Sequence, residues 1–508
     1  MEKRQKKIRK FAVMEQKIEK YTYTRSLCML LYRAVATEAP GKVLRIEHSI
    51  SHGQYCCLLE ADGTVSKTSR ELAERIRQTM RRLVEMDLPF ERHVCTRAEA
   101  IDIFRRQGLL DKVELLETVP GYENVYYTLD GIADSYVDDL VDRTGQLKVF
   151  DLRLFKDGLL LLGPDPKNPS VPALPVKQTK MYRAFQQSLE FNSVIGISCA
   201  AQMNRTVQNG DTAMLINVAE TMHTKLLGRI SDDIMRRRRK DGTSVILLAG
   251  PSSSGKTTTC KRLALQLMTN MMRPKMISLD DYFVNRTQTP LDENGKYDYE
   301  SLYALDLEQF NSDINALLRG EQINLPTYSF AKGERVLQDR PLKLQKDDVL
   351  LIEGIHGLNP ELTTSIPADK IYKVYVSALT SMRIDDHNWI STASNRLLRR
   401  MVRDSKYRGT SPAETLDRWP SVRRGEDKWI FPFQENADAV FNSSLIFELG
   451  VMKDYLLPLL MSVPGDNPHF QEARRLADFL NYFLSIPADQ VPSNSLLREF
   501  LGGSSFHY

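Results

Sequence analysis

The sequence has 508 residues, which is too long for one hydrophobic core and predicts two or three domains. A net charge of +4 gives no electrostatic sign of a protein dedicated to nucleic acid or to membranes. The six cysteines form no C-x-x-C pair, and neither a membrane-length apolar run nor a signal-type segment occurs. We therefore expect a cytoplasmic protein with reduced thiols and no membrane partner.

An α+β domain is predicted over residues 21–162, after a basic segment over residues 1–20. Strands are predicted over 43–48, 54–60 and 148–155, and helices over 69–85 and 98–107. The spacing of His48, His52, Cys56 and Cys57 invites a zinc interpretation. His48, however, falls in an alternating strand and His52 in a turn, so no zinc is expected.

A connection over residues 163–243 separates this region from the next. Residues 163–175 contain five prolines, which no helix or central strand accommodates. A helix is predicted over 211–239, and it ends in the cationic run from Arg236 to Lys240. We interpret this run as a solvated helix end that the dipole favours, and His223 as a packed residue rather than a catalyst.

From residue 244 to residue 462, apolar strands alternate with long helices, which predicts an α/β domain with a parallel sheet. A buried strand over 245–248 leads into G-x-x-x-x-G-K-[ST], a phosphate-binding P-loop. Lys256 is placed to reach the β and γ phosphates, and Thr257 to hold Mg²⁺. The expected ATP-binding residues are Gly250, Pro251, Ser252, Ser253, Ser254, Gly255, Lys256, Thr257 and Thr258.

Two further strands are predicted to end in acidic residues at the same edge of the sheet. The strand from Met276 to Phe283 carries Asp280 and Asp281, and either a catalytic carboxylate or a cap of the next turn fits that position. The strand from Asp348 ends at Glu353, as in a Walker B motif that orients Mg²⁺ and water.

A cationic helix follows, with Arg396, Arg400 and Arg403 on one face and Arg408 beyond them. A mobile lid that carries arginines would neutralise the charge that phosphoryl transfer spreads over the γ-phosphoryl oxygens. An exposed helix with salt bridges would have a similar sequence.

The motifs of residues 244–460 resemble the uridine kinase and phosphoribulokinase family of P-loop kinases: G-P-S-S-S-G-K-T-T, S-L-D-D, L-P-T-Y-S-F, L-L-I-E-G and R-R-M-V-R-D. The resemblance implies ATP-dependent phosphorylation of a ribose 5′-hydroxyl or a similar sugar hydroxyl, with Mg²⁺. By this resemblance Asp280 is the general base, and Lys256, Arg400 and Arg403 are also catalytic. Glu353 and Thr257 surround Mg²⁺, and Asp298 and Tyr328 contact the nucleoside. Arg400, Arg403 and Arg408 are the cations of a lid.

The sequence also departs from that family. The order of Tyr282 and Phe283 is swapped, and the family's pyrimidine-reading histidine falls near Gly333. Residues 384–389 and 419–426 are additions that could rebuild the acceptor pocket. Uridine or cytidine is the expected acceptor, with another nucleoside or sugar as the alternative.

Residues 23–31 and 125–145 resemble the editing domain of threonyl-tRNA synthetase. In that family two histidines of H-x-x-x-H and the cysteine and histidine of C-x-x-x-H bind a metal. Here the four positions are Arg25, Met29, Tyr136 and Leu140, which supply no zinc site. The resemblance implies an α+β fold retained without metal or editing chemistry.

Two functions follow from these motifs. The favoured one is a nucleoside kinase, which the resemblance implies is often a homo-oligomer. The second is an RNA-binding regulator switched by ATP, which the editing-like domain and the cationic run would serve. A helical tail is expected over 463–508, and the apolar positions of residues 491–504 predict that it docks onto the body of the protein.

Overall fold

The computed structural model describes residues 20–293, 295–329, 332–336 and 338–507, so the predicted basic segment lies outside them except for Lys20. These residues form two compact units. Unit 1 comprises residues up to 177 together with the short segments 199–201 and 383–389, and unit 2 comprises the rest. Among the described residues, no helix combines the length and apolar content that a bilayer crossing requires.

Unit 1 mixes helices and antiparallel strands, as predicted for an α+β region. Its helices before residue 177 are α1 (Lys20–Glu38), α2 (Arg70–Glu85), α3 (Arg97–Gln107) and α4 (Leu110–Thr118). Its strands there are β1 (Val43–Ile50), β2 (Gly53–Leu59), β3 (Val65–Ser66), β4 (Glu91–Thr96), β5 (Glu123–Leu129), β6 (Ile132–Asp134), β7 (Asp151–Phe155) and β8 (Gly158–Leu162). One sheet has the order β1-β2-β8-β7, with β3 beside β2, and the other has the order β4-β5-β6.

The predicted strands and helices of this region are confirmed, with small shifts of their ends. Helix α2 begins after Ser69, whose hydroxyl accepts a hydrogen bond from the Leu72 N–H at 3.1 Å, as an N-cap does. Strand β7 begins three residues later than predicted, because a 3₁₀ turn over 144–146 and a bend come first. Ser51 and His52 form the turn between β1 and β2 with positive φ, as the turn prediction requires.

The four positions that correspond to metal ligands in the editing-domain resemblance are buried in unit 1. Arg25 donates from Nε to the Asp138 carboxylate at 3.0 Å, and its guanidinium lies 3.6 Å from the centre of the Trp389 ring. Met29, Tyr136 and Leu140 belong to the apolar core of this unit. A cation and apolar side chains therefore occupy these positions.

The remaining chain begins with helices that lead to a parallel sheet. Its helices are α5 (Thr179–Val194), α6 (Ala200–Gln208), α7 (Thr212–Asp241), α8 (Lys256–Thr269), α9 (Leu307–Leu318), α10 (Thr392–Arg408), α11 (Pro412–Trp429), α12 (Glu448–Met461), α13 (Phe470–Leu480) and α14 (Arg498–Leu501). Its strands are β9 (Val245–Ala249), β10 (Arg273–Ser278), β11 (Ile323–Asn324), β12 (Thr327–Ser329), β13 (Glu334–Val336), β14 (Pro341–Leu342), β15 (Asp348–Glu353), β16 (Ile371–Ser377), β17 (Arg383–Asp385), β18 (Asn388–Trp389) and β19 (Ala439–Asn442).

The central sheet of unit 2 has the order β10-β15-β9-β16-β19, and every pairing is parallel. The prediction of an α/β region with a parallel sheet is therefore confirmed. Strand β9 is buried throughout, which suits its central position. Because parallel strands end at one edge, the residues that follow β9, β10 and β15 come together there.

The hairpin of β17 and β18 belongs to unit 1, although its sequence lies inside the kinase-like region. Its Asp385 carboxylate lies 3.0 Å from the ammonium of Lys112, and its His387 Nδ1 lies 2.7 Å from Asp134, all of them buried. Burial opposes the charge of His387, yet Asp134 outweighs burial and raises the pKa of the imidazole. That residues 384–389 rebuild the acceptor pocket stays a prediction.

Candidate active site

The P-loop connects the central strand β9 to helix α8, and its glycines are required by close approaches. A Cβ on Gly250 would lie 2.0 Å from the Val376 carbonyl oxygen, and Gly255 has a φ of +80°. Ser253 also has a positive φ, of 57°. This curled backbone is the conformation in which successive N–H groups point toward one ligand.

Lys256 is the first residue of helix α8. Its ammonium donates to the Pro251 carbonyl of the same loop at 3.2 Å, which holds the side chain over the loop. The first N–H groups of a helix have no acceptor within the helix, and the dipole adds partial positive charge there. The loop, the lysine and the helix start together suit a phosphate group.

The two predicted acidic residues lie at the ends of the strands beside β9. Ser278 at the end of β10 pairs with Glu353 at the end of β15, and Glu353 pairs with Leu248 of β9. The prediction that the second strand runs to Phe283 was wrong, since residues 279–282 form a 3₁₀ turn after Ser278. Asp280 lies in that turn, so it follows the strand end as expected.

The alternative interpretation, in which Asp280 caps that turn, is wrong. The hydroxyl of Ser278 accepts from the Asp280 N–H at 3.3 Å and is the cap. Asp281 instead binds the Arg340 guanidinium at 3.0 Å. Asp280 is exposed to solvent. The protein around its carboxylate nevertheless raises the pKa by desolvation, against the charges of Lys256 and Arg408.

Glu353 is half-buried beside Thr257, whose hydroxyl donates to the carboxylate at 3.3 Å. Desolvation raises the pKa of Glu353 to about 7, although the charge of Lys256 lowers it. Among the residues that the structure describes, no group of three or more Asp, Glu, His or Cys side chains could hold a metal. A hydroxyl with one carboxylate fits Mg²⁺, which completes its shell with water and substrate phosphates.

Two arginines of helix α10 are buried and fix the helix in place. Arg396 forms a double ion pair with Glu426 of α11 and donates to the Ser252 carbonyl at 3.0 Å. Arg399 donates from Nε to Glu448 of α12 at 2.8 Å. The helix is therefore not an exposed, salt-bridged surface helix, and Arg396 holds the P-loop rather than lying on a free lid face.

The other three arginines surround one buried carboxylate. Asp404 lies 3.1 Å from Arg400, 2.7 Å from Arg403 and 3.6 Å from Arg408. Arg400 also donates to the Ser252 hydroxyl of the P-loop at 2.9 Å. Three cations beside one carboxylate leave a net positive charge. The charges of Arg403 and Arg408 lower the pKa of Asp280, against its desolvation.

The two predicted nucleoside contacts have different surroundings. Asp298 accepts from the Glu300 N–H at 3.2 Å, in the segment that precedes α9. Tyr328 lies in β12, and its ring is buried 5.6 Å from the ring of Phe283 in an apolar core. The described contacts thus place Tyr328 in packing, while Asp298 lies beside an acidic residue that sequence reasoning missed.

That residue is Glu300, whose Oε2 is buried without a hydrogen-bond partner among the described residues. Desolvation, with a contribution from the charge of Glu426, raises the pKa of Glu300 to about 7, against the charges of Arg400 and Lys256. Its Cβ would lie 2.4 Å from a Cβ on Gly425, so glycine is required there. The glycine before Glu426 was the sequence signal that could have pointed to Glu300, but only the contact between Gly425 and Glu300 explains why a glycine is needed.

Glu426 is a second missed residue of the site. Its Oε1 accepts from the Ser252 N–H at 3.3 Å, within the P-loop. Burial raises the pKa of this carboxyl, but the Arg396 guanidinium outweighs burial and holds the pKa below its usual range. Glu426 therefore stays ionised and couples helix α11 to the loop.

The raised pKa values predict how stability depends on pH. Between pH 4.5 and about 7, Glu353 and Glu300 hold protons in the folded state that they lose on unfolding. The folded state binds more protons there, so the stability of the nucleotide-free protein should fall as the pH rises. Melting temperatures from pH 5 to 8 should fall less in the E300Q/E353Q double variant, and equal slopes would contradict the assignment.

Part of unit 2 is similar to known kinases. Residues 245–446 match the Phosphoribulokinase / Uridine kinase family. The uridine kinases of Staphylococcus aureus strains JH9 and Newman are each 28% identical over 199 residues, which cover 39% of this chain and 86% of each relative.

Three solved structures are also similar. A protein described as a fructose transport system kinase from Silicibacter sp. TM1040 has a TM-score of 0.31 and 18% identity, over 42% of this chain and 98% of its own. A Bacillus stearothermophilus protein described as a uridine kinase has a TM-score of 0.27 and 19% identity, over 39% of this chain and 88% of its own. D-glycerate 3-kinase from Cryptococcus neoformans has a TM-score of 0.23 and 14% identity, over 55% of this chain and 90% of its own. Scores this low carry no weight for the assignment, which rests on the family match and the sequence relatives: residues 245–446 form a domain of the phosphoribulokinase/uridine kinase family, and the protein is a phosphotransferase.

Proposed function

We propose that the protein is an ATP-dependent nucleoside kinase that transfers the γ-phosphoryl group to a ribose 5′-hydroxyl. The observation that carries this proposal is the meeting of Lys256, Asp280 and Glu353 at the ends of three neighbouring parallel strands. The Lys256 ammonium suits a phosphate, the Asp280 carboxylate can accept a proton, and the Glu353 carboxylate suits a cation. The match to uridine kinases supports uridine or cytidine as the acceptor.

In this reaction the acceptor oxygen forms a bond to the γ phosphorus, and the bond from that phosphorus to the β–γ bridging oxygen breaks. ADP leaves with the electron pair of the broken bond. The hydroxyl proton passes to the Asp280 carboxylate, which is accessible and has no capping role. Its raised pKa brings it nearer the value at which a base works at neutral pH.

Binding and charge neutralisation are the roles of the remaining residues. The P-loop residues from Gly250 to Thr258, all except Pro251 through their N–H groups, and the Lys256 ammonium would hold the phosphates. Thr257 and Glu353 are the residues that would hold Mg²⁺, which supplies positive charge to the phosphate oxygens when bound. Arg400, Arg403 and Arg408 would neutralise the charge of the transferring group, and water exclusion there would prevent hydrolysis of ATP.

The acceptor pocket is where the proposal is least like uridine kinases. We assign Asp298 to the acceptor together with its neighbour Glu300, because the Asp298 carboxylate accepts from the Glu300 N–H and holds both residues in one turn. The position of that family's base-reading histidine falls near Gly333, which has a φ of +74° beside the Arg286 guanidinium. A different nucleoside or a sugar is therefore the second candidate acceptor.

An RNA-binding regulator has weaker support. In the cationic run at the end of α7, Arg236 lies 2.9 Å from Asp233 and Arg237 lies 2.9 Å from Asp438. Acidic neighbours thus offset part of its charge, as expected of a helix end. For unit 1 we propose an editing-like fold without metal chemistry, and for the whole protein a cytoplasmic homo-oligomer.

The test is phosphorylation of a panel of nucleosides and pentoses by the purified protein with ATP and Mg²⁺. Lys256→Ala serves as the blank, because it removes the ammonium that lies over the P-loop. We expect one acceptor to be phosphorylated strongly by the wild type and not by the blank. If no acceptor reacts although ATP binds, the kinase proposal is wrong and binding of RNA becomes the next measurement.

A further inference from the structure

The segment near the C-terminus places a carboxylate on the P-loop helix. Glu499, in the short helix α14, accepts from the Thr258 N–H at 3.1 Å and from the Thr258 hydroxyl at 2.7 Å. These two residues are 241 positions apart in the sequence. The contact joins the tail to the first turn of α8, two residues after the lysine of the phosphate loop.

The Thr258 N–H belongs to the donors that a P-loop offers to phosphates. It is the third residue of α8, where N–H groups have no acceptor within the helix and the dipole favours an anion. The N–H has one hydrogen, so a carboxylate oxygen and a phosphate oxygen cannot both receive it well. Two anions at this place would also repel each other.

The rest of the segment is packed against the same region. Leu496 approaches Gly255 so closely that a Cβ on the glycine would lie 2.6 Å from its methyl group. The Phe500 ring lies 5.3 Å from the guanidinium carbon of Arg399 in α10. Leu496 and Phe500 are fully buried, so the carboxylate is held on the loop by apolar packing.

Two lysines attach the segment further along the chain. Lys406 of α10 donates to the Leu501 carbonyl, and Lys261 of α8 donates to the His507 carbonyl. The tail thus contacts the phosphate-loop helix and the helix that carries Arg400 and Arg403. It also influences the acidic residue of β15, because the charge of Glu499 contributes to the raised pKa of Glu353.

We propose that residues 491–507 form an internal competitor of the nucleotide, in which the Glu499 carboxylate occupies a phosphate position of the P-loop. The nucleotide binds after α14 has left Thr258, so the tail lowers the apparent affinity of the site. This inference rests on the proposed function only in taking the P-loop as a nucleotide site. It requires no particular acceptor.

The size of the effect follows from the contact that must be exchanged. A hydrogen bond to a charged group contributes enough to change an equilibrium constant by about tenfold or more. Glu499→Gln and Glu499→Ala should therefore tighten ATP binding by about tenfold, measured by calorimetry on the full chain with Mg²⁺. Glu472→Gln is the matched control, since Glu472 pairs with Arg475 within α13 and contacts no P-loop residue in the described structure.

The outcomes separate this inference from the kinase proposal. Tighter ATP binding by both Glu499 variants supports the inference, even if no acceptor is phosphorylated. Equal or weaker binding overturns it, because Glu499 would then merely support Thr258, and phosphorylation of an acceptor by the wild type would still stand. If neither wild type nor variants bind ATP, both proposals are wrong.

Hydrogen exchange gives a second readout that needs no variant. The Gly502 N–H donates to the Arg498 carbonyl at 2.8 Å, and the Ser505 N–H donates to the Ser493 carbonyl at 2.9 Å. We expect peptides over 491–507 to exchange faster when ATP and Mg²⁺ saturate the wild type. Unchanged or slower exchange at saturation would show that the tail stays docked with the nucleotide bound and would overturn the inference.

Discussion

Replacement of Asp280 by Asn is expected to lower the turnover number by about 10²- to 10⁴-fold, the usual contribution of a positioned general base. Asn has nearly the same shape but cannot accept the hydroxyl proton. The Asp280 side chain forms no structural ion pair among the described residues, so the fold should tolerate the change. Nucleotide affinity should rise slightly or stay unchanged, since a negative charge near the phosphates is removed. Initial rates and calorimetry on the same preparation measure both quantities.

Asp281→Asn is the matched control for this prediction. Asp281 follows Asp280 in the same 3₁₀ turn, but its carboxylate binds Arg340 and not a group of the site. We expect this variant to keep most of the turnover, with a small loss of stability from the weakened ion pair. If Asp280→Asn retains full turnover, or if both variants lose it equally, Asp280 is not the base.

The sequence predicts the part of the site that depends on local spacing. The P-loop pattern, its preceding strand and the acid that ends β15 each lie within a few residues of one another. Parallel pairing then brings Ser278 and Glu353 opposite each other, which was predictable once a parallel sheet was expected. The bounds of β10 were misplaced at both ends, since the strand begins at Arg273 rather than Met276 and a 3₁₀ turn follows Ser278.

Contacts between distant segments were outside the reach of sequence patterns. Glu426 is 174 residues from Ser252, and Glu499 is 241 residues from Thr258. Neither carboxylate stands in a recognisable motif, and each acquires its meaning from the N–H group that it meets. The burial of the hairpin 383–389 was out of reach for the same reason, since nothing in its sequence indicates that its polar side chains are buried beside Lys112.

The cationic helix α10 illustrates both the success and the limit. Its spacing correctly places Arg400 and Arg403 together, and both form ion pairs with Asp404. The same spacing offered no way to distinguish Arg396 and Arg399, which are buried in ion pairs with Glu426 and Glu448. These pairs anchor the helix at two points, so any lid motion of the arginines has to involve the part of the helix beyond Arg399.

The Arg399 and Glu448 pair should therefore be a major determinant of the stability of unit 2. Both side chains are almost fully buried, and Asn395 and Ser444 also donate to Glu448, at 2.6 and 2.9 Å. Removing one charge leaves the other buried without a partner, which typically costs about 3–5 kcal/mol. We expect Glu448→Leu and Arg399→Met each to lower the free energy of unfolding by about that amount, measured by urea denaturation.

The double variant separates the cost of an unpaired charge from the value of the pair itself. When both charges are replaced by apolar groups, no uncompensated charge remains, so the double variant should be more stable than Glu448→Leu alone. The exposed pair of Arg319 and Glu321 provides the control, and Glu321→Gln should leave stability nearly unchanged because solvent already screens that pair. Additive losses in the double variant would mean that Arg399 and Glu448 contribute separately, through packing rather than through their charges, and that the helix is anchored in another way.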